Sequence, residues 1–207
     1  PVHASVSGTV TAIEEREVPS GGKAQCVIIK NDFKDTPAPM TGHASYLSMS
    51  GKEVAAIVRE CGIVGMGGAA FPTDSKIASN VGKTKEVLIN ACECEPYITS
   101  DDTCPGDVIG GAKLLATVLG AEKSIIAVED NKPEAIAALQ ETAGNDPMIE
   151  VRVLPTRYPQ GAKKQLILAV TGREVAPGAR SGALFNVTTT ANVYRAVLRG
   201  QPLLEKI

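Results

Sequence analysis

Residues 86–90 read Glu86-Val87-Leu88-Ile89-Asn90, three aliphatic residues in a row closed by an amide. A run without polar alternation predicts a strand buried on both faces, the environment of a parallel sheet. Working outward, residues 107–119 carry Val108, Ile109, Leu114, Leu115 and Val118 at helical spacing, and residues 124–128 read as the next strand. A helix over 133–141 opens on Pro133, which suits a first turn. A strand over 149–154, a helix over 163–171 and a last helix over 192–198 follow. Strands alternating with helices predict an α/β fold, a Rossmann-like and mainly parallel sheet.

Upstream, Val54, Ile57, Val58 and Cys61 form the apolar stripe of another helix. Ser50 and Glu53 predict a capping box at its start, and Gly62 its stop. Residues 1–40 differ. A short bent strand over 4–13, a Gly21-Gly22 turn, a strand over 24–30 and a linker with Pro37 and Pro39 predict a partial β module. The expected domains are therefore residues 1–40 and residues 41–207.

The chain has 207 residues, 43% hydrophobic and 21% charged, which predicts a packed core. A net charge of −2 argues against nucleic-acid binding. No run approaches the roughly 18 apolar residues of a membrane span, and Pro1 to Gly8 lack the charged start and apolar core of a signal peptide. Pro1 in place of an initiator methionine suggests a processed chain or an excised piece. Five cysteines without regular spacing predict reduced thiols rather than a disulfide framework. Cys92 and Cys94 form one C-x-C pair with no second pair, so this chain is expected to hold no metal and no iron–sulfur cluster of its own.

Three segments carry candidate chemistry. Gly65-Met66-Gly67-Gly68-Ala69-Ala70-Phe71-Pro72-Thr73, with Lys76 beyond it, lets a backbone approach a ring or phosphate closely. Its Gly65-x-Gly67-x-x-Ala70 spacing imitates a dinucleotide fingerprint, but it follows a helix instead of a strand. Gly82-Lys83-Thr84 imitates the end of a P-loop, yet Ile77 stands where that motif needs glycine. On spacing alone, a tight structural turn explains the glycine segment equally well. The loop Asn90-Ala91-Cys92-Glu93-Cys94-Glu95-Pro96-Tyr97, with Asp101 and Asp102, leaves the carboxyl end of a strand, where ligands of open α/β sheets gather. Asn90 suits a heterocycle edge, and Glu93 and Glu95 suit ribose or amide donors. The bland alternative is a solvated acidic surface. Pro155 to Gln165 follows another strand. Tyr158 suits a ring, and Arg157, Lys163 and Lys164 suit phosphate, since cations at a helix start oppose its dipole.

Together these segments resemble the C subunit of Rnf-type ion-translocating ferredoxin:NAD oxidoreductases. The matching text is Gly65 to Thr73, Asn90 to Thr99 with Asp101-Asp102, Tyr158-Pro-Gln-Gly161 with Lys164-Gln165-Leu166, Thr171 to Val175 and the Gly178 to Ser181 turn. That family is similar in turn to the FMN- and NADH-binding subunit of respiratory NADH dehydrogenase. The resemblance implies an FMN pocket of Gly65, Gly67, Gly68, Lys76, Asn90, Glu93, Tyr158, Gly161 and Asn186, with Thr188 and Thr189 toward the phosphate. It assigns Phe71 and Glu95 to NAD(H). It implies hydride transfer between nicotinamide and flavin with no catalytic acid or base. It also implies partner subunits, and a peripheral position on the cytoplasmic side of the membrane. The first 40 residues resemble the end of a barrel-sandwich module. The family's [4Fe-4S] region lies outside this sequence, so a fragment unable to pass electrons onward is expected. Ala70, Cys92, Ala162 and Lys163 depart from the respiratory pattern, which weakens the nicotinamide placement more than the flavin one. The alternatives are a cobalamin (corrinoid) reductase of propanediol-utilisation microcompartments, a carrier module with Lys23 modified, and a non-catalytic assembly module.

Overall fold

Val87, Leu88 and Ile89 lie in β3 (Glu86–Ala91), an interior strand of a four-stranded parallel sheet ordered β5-β4-β3-β6. The structure, a computed structural model, describes residues 1–19, 21–93, 104–176, 178 and 182–204. β3 pairs with β4 (Lys123–Glu129) on one side and with the three-residue β6 (Leu184–Asn186) on the other. β5 (Ile149–Leu154) pairs with the far side of β4 and forms the edge. Successive strand residues point to opposite faces, which explains the unbroken aliphatic run. Val87 and Ile89 join the core beneath α1 (Gly51–Glu60), α3 (Pro105–Leu119) and α6 (Val187–Arg199). Leu88 points the other way, onto Leu166, Ile167 and Val170 of α5 (Lys163–Thr171). Both faces are covered, as a parallel sheet requires.

The chain divides into two compact units, Val2–Met40 and Thr41–Ile207 with Pro1. The first contains an antiparallel pair, β1 (Gly8–Glu17) and β2 (Lys23–Asn31). β1 begins and ends four residues later than the expected strand over 4–13. The charged run Glu14 to Glu17 pairs by backbone with Lys23 to Cys26 on an exposed ribbon. The Ser7 hydroxyl donates to Asp32 Oδ1 at 2.6 Å and closes the open end.

In the second unit, α1 starts as its sequence predicts. Ser50 Oγ accepts from the Glu53 N–H at 3.3 Å, and the Ser50 N–H donates to Glu53 Oε2 at 2.7 Å. Such caps are worth about 1 kcal/mol. Gly62 follows in the left-handed region at φ 69°. Val54 and Val58 are fully buried beneath it, each worth roughly 1.5–3 kcal/mol. α3 starts two residues before the expected helix, at Pro105. α4 (Pro133–Ala143) carries the anticipated proline in its first turn.

Two elements escape the periodicity. α2 (Thr73–Asn80) follows Phe71-Pro72, a pair that reads as an interruption. Pro72 occupies the N-cap, where its missing N–H leaves no helical bond unmade. α6 begins at Val187, five residues before the expected helix, because its first turns, with buried Thr189, Thr190 and Ala191, pack against α3 despite the weak helix propensity of the threonines. The two helices approach through Gly111, where a Cβ would stand 2.2 Å from the Thr190 carbonyl oxygen. Buried Asp107 adds a polar tie. Its Oδ2 accepts from Arg195 Nε at 2.6 Å and its Oδ1 from Arg199 Nη2 at 2.6 Å. No helix among the described residues is long and apolar enough to cross a membrane.

Candidate functional site

The chain runs β3, β4, β5 outward to one edge and then returns to place β6 on the other side of β3. The strand order thus reverses at β3, and the carboxyl ends of β3 and β6 stand side by side at the crevice position where open α/β sheets bind ligands. Asn90 and Asn186 are register partners at that point.

Asn186 is the N-cap of α6. Its Oδ1 accepts from the N–H groups of Thr188 at 3.0 Å and Thr189 at 3.2 Å. Its Nδ2 faces the glycine segment, where a Cβ on Gly67 would stand 3.8 Å from it. Thr189 Oγ1 accepts from the Met66 N–H at 2.8 Å, so the start of α6 holds the glycine segment from below. The segment closes on itself through the Gly65 N–H, which donates to the Phe71 carbonyl at 2.8 Å. Gly68 sits at φ 93°, a conformation only glycine adopts readily. Ala70 is also left-handed, at φ 46°, a conformation that strains a residue with a Cβ. Gly67 differs from both. It is exposed, its φ is ordinary, and an added Cβ would make only ordinary contact with the Asn186 side chain. The protein's own packing gives no reason for a glycine there.

Lys76 projects from α2 toward the same place. Its Nζ donates to the Leu184 carbonyl at 3.0 Å and lies 5.8 Å from the Phe71 ring centre and 5.2 Å from that of Phe185. Burial pushes its pKa down, and the positive charge of Lys163 adds to the effect. Among the described residues no carboxylate pairs with it. Phe71 is half exposed beside it. An anion arriving here would relieve the lysine and meet Asn186 Nδ2.

On the other side of Asn90, the β3 and β5 loops interlock. Asn90 Nδ2 donates to the Gly161 carbonyl at 3.0 Å, and Asn90 Oδ1 accepts from the Cys92 N–H at 3.0 Å. Each end of the amide keeps further capacity for a ligand. A Cβ on Gly161 would stand 2.5 Å from the Cys92 carbonyl oxygen, so this glycine serves the contact between the loops. The Cys92 thiol is buried and donates to the Ala127 carbonyl at 3.5 Å. The Glu93 N–H donates to Glu129 Oε2 at 3.1 Å. Glu95, with Asp101 and Asp102, lies outside the described residues. Tyr158 is 85% exposed and lines a groove of about 320 Å³ with Leu154, Arg157, Gln160 and Leu168 beside α5.

The crevice thus gathers Gly67, Lys76, Asn90 and Asn186 around its mouth. Gly161 braces the loop next to it, and Thr188 lends its N–H to the Asn186 cap. Tyr158 stands out at the α5 groove. Sequence reasoning overlooked buried Glu129, whose value lies in a partner that spacing does not reveal.

The crevice, with a glycine segment and a lysine at its mouth, defines a nucleotide-site α/β domain, and comparison gives it a class. Residues 58–195 match the Nuo51 FMN-binding domain, and residues 1–34 match the RnfC barrel sandwich hybrid domain. Among solved structures, an NAD+-reducing [NiFe]-hydrogenase in the H2-reduced state aligns with a TM-score of 0.61 at 23% identity. That alignment covers 76% of this chain and 33% of the hydrogenase chain, and it speaks for the fold. The C subunit of the ion-translocating oxidoreductase complex of Actinobacillus succinogenes is 42% identical, covering 100% of this chain and 31% of the relative. Its counterpart from Erwinia tasmaniensis is 42% identical with 27% of its length covered, and that from Vibrio cholerae is 39% identical with 28% covered. The chain belongs to the RnfC family, the C subunits of ion-translocating oxidoreductase (Rnf) complexes. It spans less than a third of the length of these relatives.

Proposed function

We propose that this chain holds FMN in the crevice beyond β3 and β6 and exchanges electrons there between NAD(H) and the flavin. The carrying observation is Lys76, partly dehydrated and without a carboxylate among the described residues, set at β6 and the Phe71 ring, in the chain segment whose Gly67 the protein's packing does not require. A half-buried cation without a counter-charge suits an anionic ligand, and a bare backbone suits a flat ring. In this reading Lys76 and Asn186 Nδ2 oppose the phosphate, with the Thr188 turn behind them. Gly65, Gly67 and Gly68 admit the ring. Asn90 and Glu93 hold its polar edge, and Gly161 braces the loop that Tyr158 borders. Phe71 and Glu95 meet the nicotinamide nucleotide. Bound flavin supplies hydride acceptance and single-electron release. The protein's task is to orient the rings and exclude water, so no side chain need act as acid or base.

In the larger assembly, electrons pass to [4Fe-4S] clusters carried by a region of the family outside these residues, and other subunits of the complex dock alongside. The protein is peripheral, on the cytoplasmic side of the membrane.

Titration with FMN is expected to quench flavin fluorescence at micromolar concentration, about −8 kcal/mol. A flat titration would overturn the proposal. Glu95→Gln keeps the side-chain shape and removes its charge. It is expected to weaken NADH binding about ten- to a hundredfold, the loss of a charged hydrogen bond of roughly 1.5–3 kcal/mol. FMN affinity should stay within about twofold. Equal weakening of both ligands would refute the division of roles.

A further inference from the structure

β4 contributes no side chain to the mouth of the crevice, yet its carboxyl end carries two consecutive acids, Glu129 and Asp130. β4 lies between β3 and β5 in the sheet. Its end is therefore flanked by the two loops that interlock through Asn90 and Gly161. Each acid takes hold of one of them. Glu129 Oε2 accepts from the Glu93 N–H at 3.1 Å. Asp130 Oδ1 accepts from the Thr156 N–H at 2.9 Å and from the Thr156 hydroxyl at 2.7 Å. Neighbours in sequence thus serve the loops on the two flanks of β4.

The two grips differ in setting. Asp130 is exposed, whereas Glu129 is 3% exposed. Burying a carboxyl group is unfavourable unless its hydrogen bonds are made. A leucine or valine at this depth would pack without that penalty, yet would leave the Glu93 N–H without this acceptor.

We propose that Glu129 is a positioning residue, which fixes the backbone of the β3 loop at Glu93 so that Asn90 and the Glu93 side chain present a formed edge to the ligand. The proposal rests on the flavin reading of the crevice for its ligand, but the hold itself is a property of the protein alone. Glu129 touches no ligand in this scheme and acts through the peptide it holds. Asp130 does the same for the β5 loop from the solvent side, where competition from water makes its grip weaker.

Two measurements on the full-length protein separate hold from ligand. Amide hydrogen exchange at Glu93, without flavin, reads the hold. Glu129→Asp keeps the acid and shortens its reach by one methylene, and is expected to speed exchange at Glu93 at least tenfold. Glu129→Gln keeps length and an acceptor oxygen, and should remain within about threefold of wild type. FMN titration then reads the consequence. Glu129→Asp should bind FMN about tenfold more weakly, and Glu129→Gln within about threefold of wild type. Thermal unfolding of the Gln variant should be unchanged. Equal exchange at Glu93 in wild type and Glu129→Asp would overturn the proposal, as would faster exchange with undiminished FMN affinity. Failure of the wild type to bind FMN would remove the flavin reading and the ligand role of Glu129 with it, while exchange would still report whether the hold exists.

Discussion

Gly67→Val is expected to abolish measurable flavin binding while leaving the fold intact. The two halves of that expectation rest on different observations. The fold survives because a Cβ at Gly67 meets only the Asn186 side chain, at 3.7–4.0 Å, and the residue is exposed with an ordinary φ. A branched side chain can turn its methyl groups to solvent there. Binding fails because those methyl groups occupy the space above the backbone that a ring or phosphate must enter. Loss of at least a hundredfold in affinity, about 2.7 kcal/mol, should appear in the FMN titration. The thermal midpoint should stay within a few degrees. A valine variant that binds flavin normally would return the segment to the status of a structural turn.

The second large effect concerns stability. Asp107→Ala removes the carboxylate that Arg195 and Arg199 share. Asp107 is 5% exposed, and the Arg195 side chain is 13% exposed, so Arg195 loses its charge partner inside the protein. Breaking a buried pair from one side costs about 3–5 kcal/mol. The half-exposed Arg199 can turn to water, which favours the lower figure. Thermal unfolding should fall by roughly 6–12 °C for a chain of this size. The double variant Asp107→Leu with Arg195→Met should recover much of the loss, since it removes both charges and refills the space. A midpoint unchanged by Asp107→Ala would mean that α3 and α6 are held by packing through Gly111 alone.

The parts of this fold that are legible in sequence depend on local chemistry. The Ser50–Glu53 box marks α1 because its donors and acceptors sit three residues apart. The apolar run of β3 is unbroken, and the expected bounds of β5 and α5 agree with the structure. β6 offers only Leu184-Phe185-Asn186, too short for any period to appear. The start of α6 is β-branched and reads as extended. Its true signal is Asn186, an N-cap recognisable once the helix behind it is known. The site behaves similarly. Glycines and lysine stand out as residue types, so Gly67 and Lys76 are visible in the sequence. The service of Glu129 to Glu93 depends on strand order, which no spacing along the chain encodes. Asn90 stands between these cases. Its place at a strand end is readable, but the partner of its amide, Gly161, comes from a distant loop.

The position of β6 beside β3 also sets a timetable. Leu88 waits for Leu184, and Asn90 for Asn186, before the crevice has both walls. During synthesis at about 5–20 residues per second, that interval lasts roughly 5–20 s. Throughout it β3 exposes an open edge, and the glycine segment lacks the Thr189 hydroxyl that receives the Met66 N–H. On the proposed flavin reading, the emerging polypeptide cannot form its pocket until α6 has left the ribosome. On that reading the cofactor joins strands already paired instead of guiding their assembly, and any chain released before Asn186 carries an unpaired strand open to aggregation.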